Sequence, residues 1–265
     1  MSLAVAVLPW RVLSVDLNAD AGESFGPWRL GRDAELLPQL SSVNLACGFH
    51  AGDPLTMRRS VALALGHGVA IGAHPGYRDL AGFGRRVLHA TPDELYADVL
   101  YQMGALSAFL RPFGRRLHHV KPHGALYLRM LEHKPTAEAV VAATRDFDAA
   151  LPLVSLAGPG GEAFAAAARG AGLRVVLEAF PDRGYLDDGT LAPRAEPGAL
   201  VTDPNEVAAR ALTLARDGWV AALSGRRLAL RAETLCLHGD APHAPEAAQA
   251  VRRALADAGI AVGAY

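Results

Sequence analysis

Lysine is nearly missing from this chain. Of its 26 basic residues only Lys121 and Lys134 are lysine, and the rest are arginine. Asparagine is almost as scarce, at Asn18, Asn44 and Asn205. Where a composition avoids a residue type, the places that keep it stand out, and Lys121, Asn18 and Asn44 all fall in the polar clusters described below. Cysteine occurs twice, at Cys47 and Cys236. That usage suits a reducing cytoplasm, the spacing carries no zinc motif, and both read as packed thiols. A formal net charge of −1 leaves no basic face for nucleic acid. No apolar run is long enough to span a bilayer. Residues 1–9 are apolar but lack a basic n-region and a cleavage site, so they read as an ordinary leader or first strand rather than a signal peptide.

What is present is a repeated grammar. The chain is 51% apolar over 265 residues, enough for a substantial core, and residues 1–265 read as a single domain with no linker. In Val43-Asn44-Leu45-Ala46-Cys47-Gly48-Phe49-His50-Ala51-Gly52-Asp53 an apolar strand runs into a polar cluster. Pro54 then opens a helix that Asp53 is able to cap. The same pattern of strand and polar cluster predicts strands at 12–18, 69–73, 117–120, 153–156, 175–178 and 234–237. Helices are expected at about 54–67, 91–110, 125–131, from 136, after 161, from 203 and at 245–258. Thr91-Pro92-Asp93-Glu94 is a capping box. Gly158-Pro159-Gly160-Gly161 lacks the lysine and hydroxyl of a Walker loop and reads as a turn. Seven strands alternating with helices predict a parallel sheet, best closed as an irregular seven-stranded (β/α) barrel, with an open doubly wound sheet as the second choice.

In either architecture the polar clusters follow their strands and converge on one edge. The set is Asp16, Asn18, Asp20, Asn44, His50, Asp53, His74, Lys121, His123, Glu178, His238 and Asp240. Asp16, Asn18 and Asp20 alternate, so they share a face that suits a barrel mouth. Carboxylate–imidazole pairs serve general acid–base chemistry, and Lys121 offers a compact cation for an oxyanion or a phosphate. Structural readings compete: Asp53 as a helix cap, Glu178 as the partner of an arginine, a histidine as a core residue. Asp20, His50 and His74 also suit a divalent ion with an open position. The loop at 78–88 is long enough to cover the site, and a charged loop spans 181–197.

Several motifs, taken together, resemble the LamB/YcsF family, the A subunits of bacterial 5-oxoprolinase. They are Asp16-Leu17-Asn18-Ala19-Asp20-Ala21-Gly22-Glu23-Ser24-Phe25-Gly26, Asn44 through Asp53, His74-Pro75-Gly76-Tyr77, Val120-Lys121-Pro122-His123-Gly124-Ala125-Leu126-Tyr127, Glu178-Ala179-Phe180-Pro181-Asp182-Arg183-Gly184-Tyr185 and Leu237-His238-Gly239-Asp240. The resemblance runs from about Val12 onward. It implies a fold similar to the seven-stranded barrel of the glycoside hydrolase/deacetylase superfamily. The implied activity is ATP-dependent opening of the lactam of 5-oxo-L-proline to L-glutamate, with release of ADP and phosphate, in company with separate B and C subunits. ATP is the implied cofactor, with Mg as its companion ion. On this reading Asp20, His50, Lys121, His123 and Asp240 are the catalytic candidates, with Asp20–His50 or His123–Asp240 as the pair that activates water. Asp16, Asn18, Asn44, His74, Glu178 and His238 are candidates for binding substrate. The alternatives are a stand-alone metal-dependent hydrolase on the same fold and a non-catalytic binding subunit.

Overall fold

The computed structural model describes residues 13–241 and 243–265. The expectations for residues 1–9 and for Val12 as a strand start lie outside the described residues. In chain order the elements are β1 (Ser14–Ala21), α1 (Asp33–Leu36), β2 (Ser42–Ala46), α2 (Pro54–Gly66), β3 (Ala70–His74) and α3 (Pro92–Leu110). There follow α4 (Gly124–Glu132), α5 (Lys134–Phe147), β4 (Leu153–Leu156), α6 (Pro159–Gly170), β5 (Val175–Ala179) and α7 (Pro204–Asp217). The chain closes with β6 (Trp219–Ala221), β7 (Arg227–Ala229), β8 (Thr234–Leu237), α8 (Ala244–Asp257) and β9 (Ala261–Val262).

The main sheet runs β3-β2-β1-β8-β5-β4, every pair parallel, and β9 adds to the start of β1. The strand expected at 117–120 is reduced to a bridge. Val120 pairs in parallel with Ala73 of β3 on one side and Leu153 of β4 on the other. Four backbone hydrogen bonds hold it: Ala73 N to His119 O, Lys121 N to Ala73 O, Val120 N to Pro152 O and Val154 N to Val120 O, each 2.9 Å. That double bridge curls the sheet into the expected irregular barrel. Pro122 follows at once and has no N–H to extend the ladder.

The helix starts follow the sequence signals. Asp53 caps α2 through Leu55 N and Thr56 N, Thr91 and Glu94 form a capping box on α3, and Asp203 caps α7. Gly158-Pro159-Gly160-Gly161 opens α6 rather than forming a free turn. A Cβ at position 161 would lie 2.0 Å from Leu156 O, so glycine is required there for α6 to meet β4. The antiparallel pair β6–β7 was not anticipated, because each strand has only three residues.

The barrel is apolar outside and polar inside. On β1, Val15, Leu17, Ala19 and Ala21 pack into the apolar core while Asp16, Asn18 and Asp20 form the alternate, equally buried set. The alternation was readable, but the polar set runs down the interior rather than only around the mouth.

Candidate active site

The interior polar groups form one connected column. Deepest is Asp16, which accepts hydrogen bonds from the hydroxyls of Ser41 (2.6 Å), Ser42 (2.8 Å) and Thr234 (2.5 Å). Asn18 Nδ2 donates to Thr234 Oγ1 at 2.6 Å and to Glu178 Oε2 at 3.3 Å. Asn44 Nδ2 donates to Asn18 Oδ1 (2.7 Å) and Asp20 Oδ1 (2.9 Å), and Asn44 Oδ1 accepts from His119 Nε2 at 2.6 Å. Buried polar groups tied together in this way fix one another's positions. Asp16, Asn18 and Asn44 therefore orient Asp20 from below.

Lys121 is the buried cation of the column. Its Nζ lies 2.8 Å from Glu178 Oε2, 3.0 Å from Asp20 Oδ1 and 2.9 Å from Cys236 Sγ. Burial works against the ammonium, but Asp20, Cys236 and Glu178 together hold its pKa well above the usual lysine value. Burial also works against the Asp20 carboxylate, and the charges of His74 and Lys121 overcome it, leaving Asp20 well below the usual range. Glu178 is pushed up, first by burial and also by the Asp20 charge, against the pull of Lys121. Thus Lys121–Asp20 is the ionised pair, and Glu178 competes for the same cation.

Beside this pair sits a group of three imidazoles and a carboxyl: His50, His74, His123 and Glu23, all buried. They come from different places: Glu23 just past β1, His50 between β2 and α2, His74 at the end of β3, and His123 at the start of α4. His74 Nδ1 donates to Lys121 O at 2.7 Å and His123 Nε2 donates to Phe83 O at 2.8 Å. With those nitrogens committed to carbonyls, the remaining nitrogen of each ring faces the other, and without a proton it presents a lone pair. His74 Nε2 and His123 Nδ1 are 2.9 Å apart. Two lone pairs at that distance require a proton or a cation between them. Glu23 Oε1 and both nitrogens of His50 are buried without a hydrogen-bond partner. Burial and the neighbouring imidazoles lower the pKa of His50 and His123, keeping the rings neutral, as a metal ligand must be. Glu23 is pushed well up by burial, Asp20 and Asp240, a penalty that a cation would remove. The four residues thus fit a divalent metal ion. The two carbonyl-held histidines have the outer hydrogen bonds typical of such sites.

The loop at 78–88 covers this group. Phe83 stands edge-on to His123 and His50 at 5.1 and 5.9 Å between centroids. It is the one non-glycine residue with positive φ, 54°, among the described residues. That backbone conformation is costly away from glycine and is held here by packing over the imidazoles.

A cavity of about 550 Å³ opens beside the two groups, lined by Asp20, His74, Lys121 and His238 with Tyr127, Phe180 and several arginines. His238 is positioned by Asp182, whose Oδ2 accepts from the ring Nδ1 at 2.9 Å and from the backbone N at 2.8 Å. Tyr127 Oη is buried near Glu178, with no partner in hydrogen-bond geometry.

Of the residues expected at the site, Asp20, His74, Lys121 and His238 line the cavity. His50 and His123 stand in the imidazole group. Asp16, Asn18, Asn44 and Glu178 belong to the column beneath. Two expected pairings change. Asp20 meets His74 (3.3 Å to Nε2) rather than His50, and Asp240 pairs with Arg85 (2.7 Å) rather than His123. Asp53 is a helix cap. The expected metal set of Asp20, His50 and His74 shares two members with the observed group, which adds Glu23 and His123. Glu23 escaped the alternation rule because Gly22, with φ of 69°, turns the chain just before it. His119 lies in the 117–120 segment, which the sequence marks only as strand, and Cys236, which reads as a packed thiol, touches Lys121.

The model of the LamB/YcsF family matches residues 15–265. The A subunit of 5-oxoprolinase from Thermus thermophilus is 57% identical over 253 residues, covering 96% of this chain and 100% of the relative. Its counterpart from Symbiobacterium thermophilum is 53% identical and covers 96% of each. The crystal structure of a lactam utilization protein from Thermus thermophilus superposes with a TM-score of 0.90 at 57% identity, over 95% of this chain and all of that one. At 11% identity and a TM-score of 0.50, a truncated 3-deoxy-D-arabino-heptulosonate 7-phosphate synthase from Thermotoga maritima shares the fold alone, over 99% of this chain and 94% of that one. With its family motifs assembled on one side of the curled sheet and this match over nearly the whole chain, the protein belongs to the LamB/YcsF family.

Proposed function

We propose that this chain is the lactam-opening subunit of an ATP-dependent 5-oxoprolinase, working in the cytoplasm with separate B and C subunits. Its substrate is 5-oxo-L-proline and its product L-glutamate, with ATP converted to ADP and phosphate. The observation that carries the reading is a cavity where an ionised Lys121–Asp20 pair, the Asp20–His74 contact and several arginines meet. The relatives' name, which makes them A subunits of 5-oxoprolinase, supports it.

A five-membered lactam is a stable amide. Transfer of the ATP γ-phosphoryl group to the lactam oxygen makes the ring carbon electrophilic and gives that oxygen a leaving group. Lys121 neutralises charge on the oxygen as it develops. Asp20, ionised and 3.3 Å from His74, takes a proton from the water that attacks the carbon. The carbon–nitrogen bond breaks as the carbonyl re-forms, the nitrogen takes a proton and leaves as the amine, and a second water hydrolyses the resulting acyl phosphate to the side-chain carboxylate of glutamate and phosphate. A divalent ion held by Glu23, His50, His74 and His123 would supply Lewis acidity beside this centre. That same group favours one competitor, a stand-alone metal-dependent hydrolase that needs neither ATP nor partners.

The test is glutamate formation from 5-oxo-L-proline by the purified chain, alone and with the B and C subunits, with and without ATP. Glutamate should form only with all subunits and ATP, and be lost in Lys121→Ala. No product from the complete mixture, or undiminished turnover by Lys121→Ala, would contradict the reading. Product from the chain alone without ATP would select the competitor.

A further inference from the structure

Four arginines line the cavity: Arg85, Arg129, Arg183 and Arg194. Three are already occupied. Arg183 donates from Nε and Nη2 to the carbonyls of Ala199 and Ala192. Arg85 Nη2 is bound to Asp240 Oδ2 at 2.7 Å. Arg129 Nη1 reaches Glu132 Oε1 at 3.4 Å. The guanidinium of Arg194 forms no hydrogen bond or ion pair with any described residue. Its electrostatic neighbours are Arg85, Asp240, Asp182 and Asp20, but Asp240 and Asp182 already serve Arg85 and His238, and Asp20 serves Lys121. Burial, then Arg85, works against its charge. A half-buried cation without a counter-ion, on the wall of a cavity that also holds Asp20, His74 and Lys121, is placed to take an anion.

We propose that Arg194 takes the carboxylate of the substrate, so that the cavity selects lactams bearing an anionic group next to the ring nitrogen. This rests on the reading of the cavity as the lactam-opening centre. A guanidinium binds a carboxylate through two parallel N–H donors, which fixes orientation as well as position. With the carboxylate on Arg194, a small lactam is tethered by one end in the cavity that holds the reactive groups. Phosphate oxygens of the nucleotide are the other anions that could occupy Arg194, and separate substrate titrations distinguish the two sources.

The experiment compares the wild-type three-subunit enzyme with Arg194→Met and Arg194→Lys, varying 5-oxo-L-proline and ATP in turn. Calorimetric titration of each chain with 5-oxo-L-proline and with the uncharged lactam 2-pyrrolidinone accompanies it. Arg194→Met should raise KM for 5-oxo-L-proline by about 10- to 100-fold, the value of a charge-assisted pair, with KM for ATP within about twofold. Arg194→Lys should recover part of the loss. In the titrations, wild type should prefer 5-oxo-L-proline over 2-pyrrolidinone and Arg194→Met should not. Unchanged KM for 5-oxo-L-proline, a raised KM for ATP instead, or equal binding of the two lactams by wild type would overturn the assignment. If the complete wild-type mixture makes no glutamate while the carboxylate preference persists and depends on Arg194, the proposed reaction fails and the binding site stands.

Discussion

His50 is the residue whose environment is hardest to explain without a ligand. It is fully buried, its ring stacks on His123 at 3.8 Å, and neither nitrogen has a hydrogen-bond partner, Glu23 Oε1 standing 3.7 Å from Nε2. A buried imidazole left in that state costs free energy that a bound cation restores. Metal analysis of the purified chain should find about one divalent ion per chain, lost on dialysis against a chelator and reduced in His50→Ala. Metal-free protein under metal-replete conditions, or unchanged content in His50→Ala, would remove the ion from the account. The sequence pointed to His50 and His74 because each follows an apolar strand. It did not point to Glu23, which lies past a glycine turn where alternation no longer says which way a side chain faces. Nor did it separate residues that line the cavity from those that hold them. Asp16 and Asp20 look alike in the chain, and only depth in the barrel distinguishes a carboxylate tied by three hydroxyls from one facing His74.

At the scale of elements, the instructive case is the segment that closes the barrel. Residues 118–121 pair with both β3 and β4, yet only Val120 makes the bridges. The sequence signal for a strand at 117–120 was correct in place and too generous in length, since only Val120, its last residue, bridges both neighbours. β3 has adapted to this segment. A Cβ at Gly72 would sit 2.1 Å from His119 Nε2, so glycine there makes room for the imidazole that holds Asn44. Gly72→Ala should therefore destabilise the protein by about 1–3 kcal/mol, the usual cost of overpacking, measured by urea unfolding. A change below about 0.5 kcal/mol, the level expected of a neutral site, would show that the ring moves freely. Helix starts were the most legible elements, because caps such as Asp53, Thr91 and Asp203 act within a few residues. The β6–β7 hairpin and the β9 addition were not legible, being too short for periodicity to register.

For the molecule as a whole, a polar barrel interior makes stability depend on pH. Burial lowers the pKa of His50, His119 and His123 below the ordinary 6.5. As pH falls below about 6.5 the unfolded chain takes up protons at these histidines and the folded chain resists them, so stability falls. Asp20, depressed when folded, contributes stability that is present above the ordinary 3.8 and lost as pH falls through its folded value. Glu23, raised well above its ordinary value when folded, and Asp16, Asp33 and Glu178, raised as well, act in the opposite sense and offset part of the loss from the imidazoles. A bound cation would add to the histidine side, because protons compete for its ligands. The melting temperature should drop between about pH 7 and pH 5, and a rise over that range would contradict the burial of these rings as neutral groups. Among the described residues no helix is long and apolar enough to cross a membrane. What the whole fold accomplishes is convergence of groups far apart in the chain, and Asp20 stands where they meet, touching Asn44, His74 and Lys121. The most direct measurement is therefore the rate of glutamate formation by the three-subunit enzyme carrying Asp20→Asn, a replacement of nearly equal shape. The rate should fall about 10²- to 10⁴-fold, the range for loss of acid–base function, with the chain still folded. Turnover within about twofold of wild type would contradict that function.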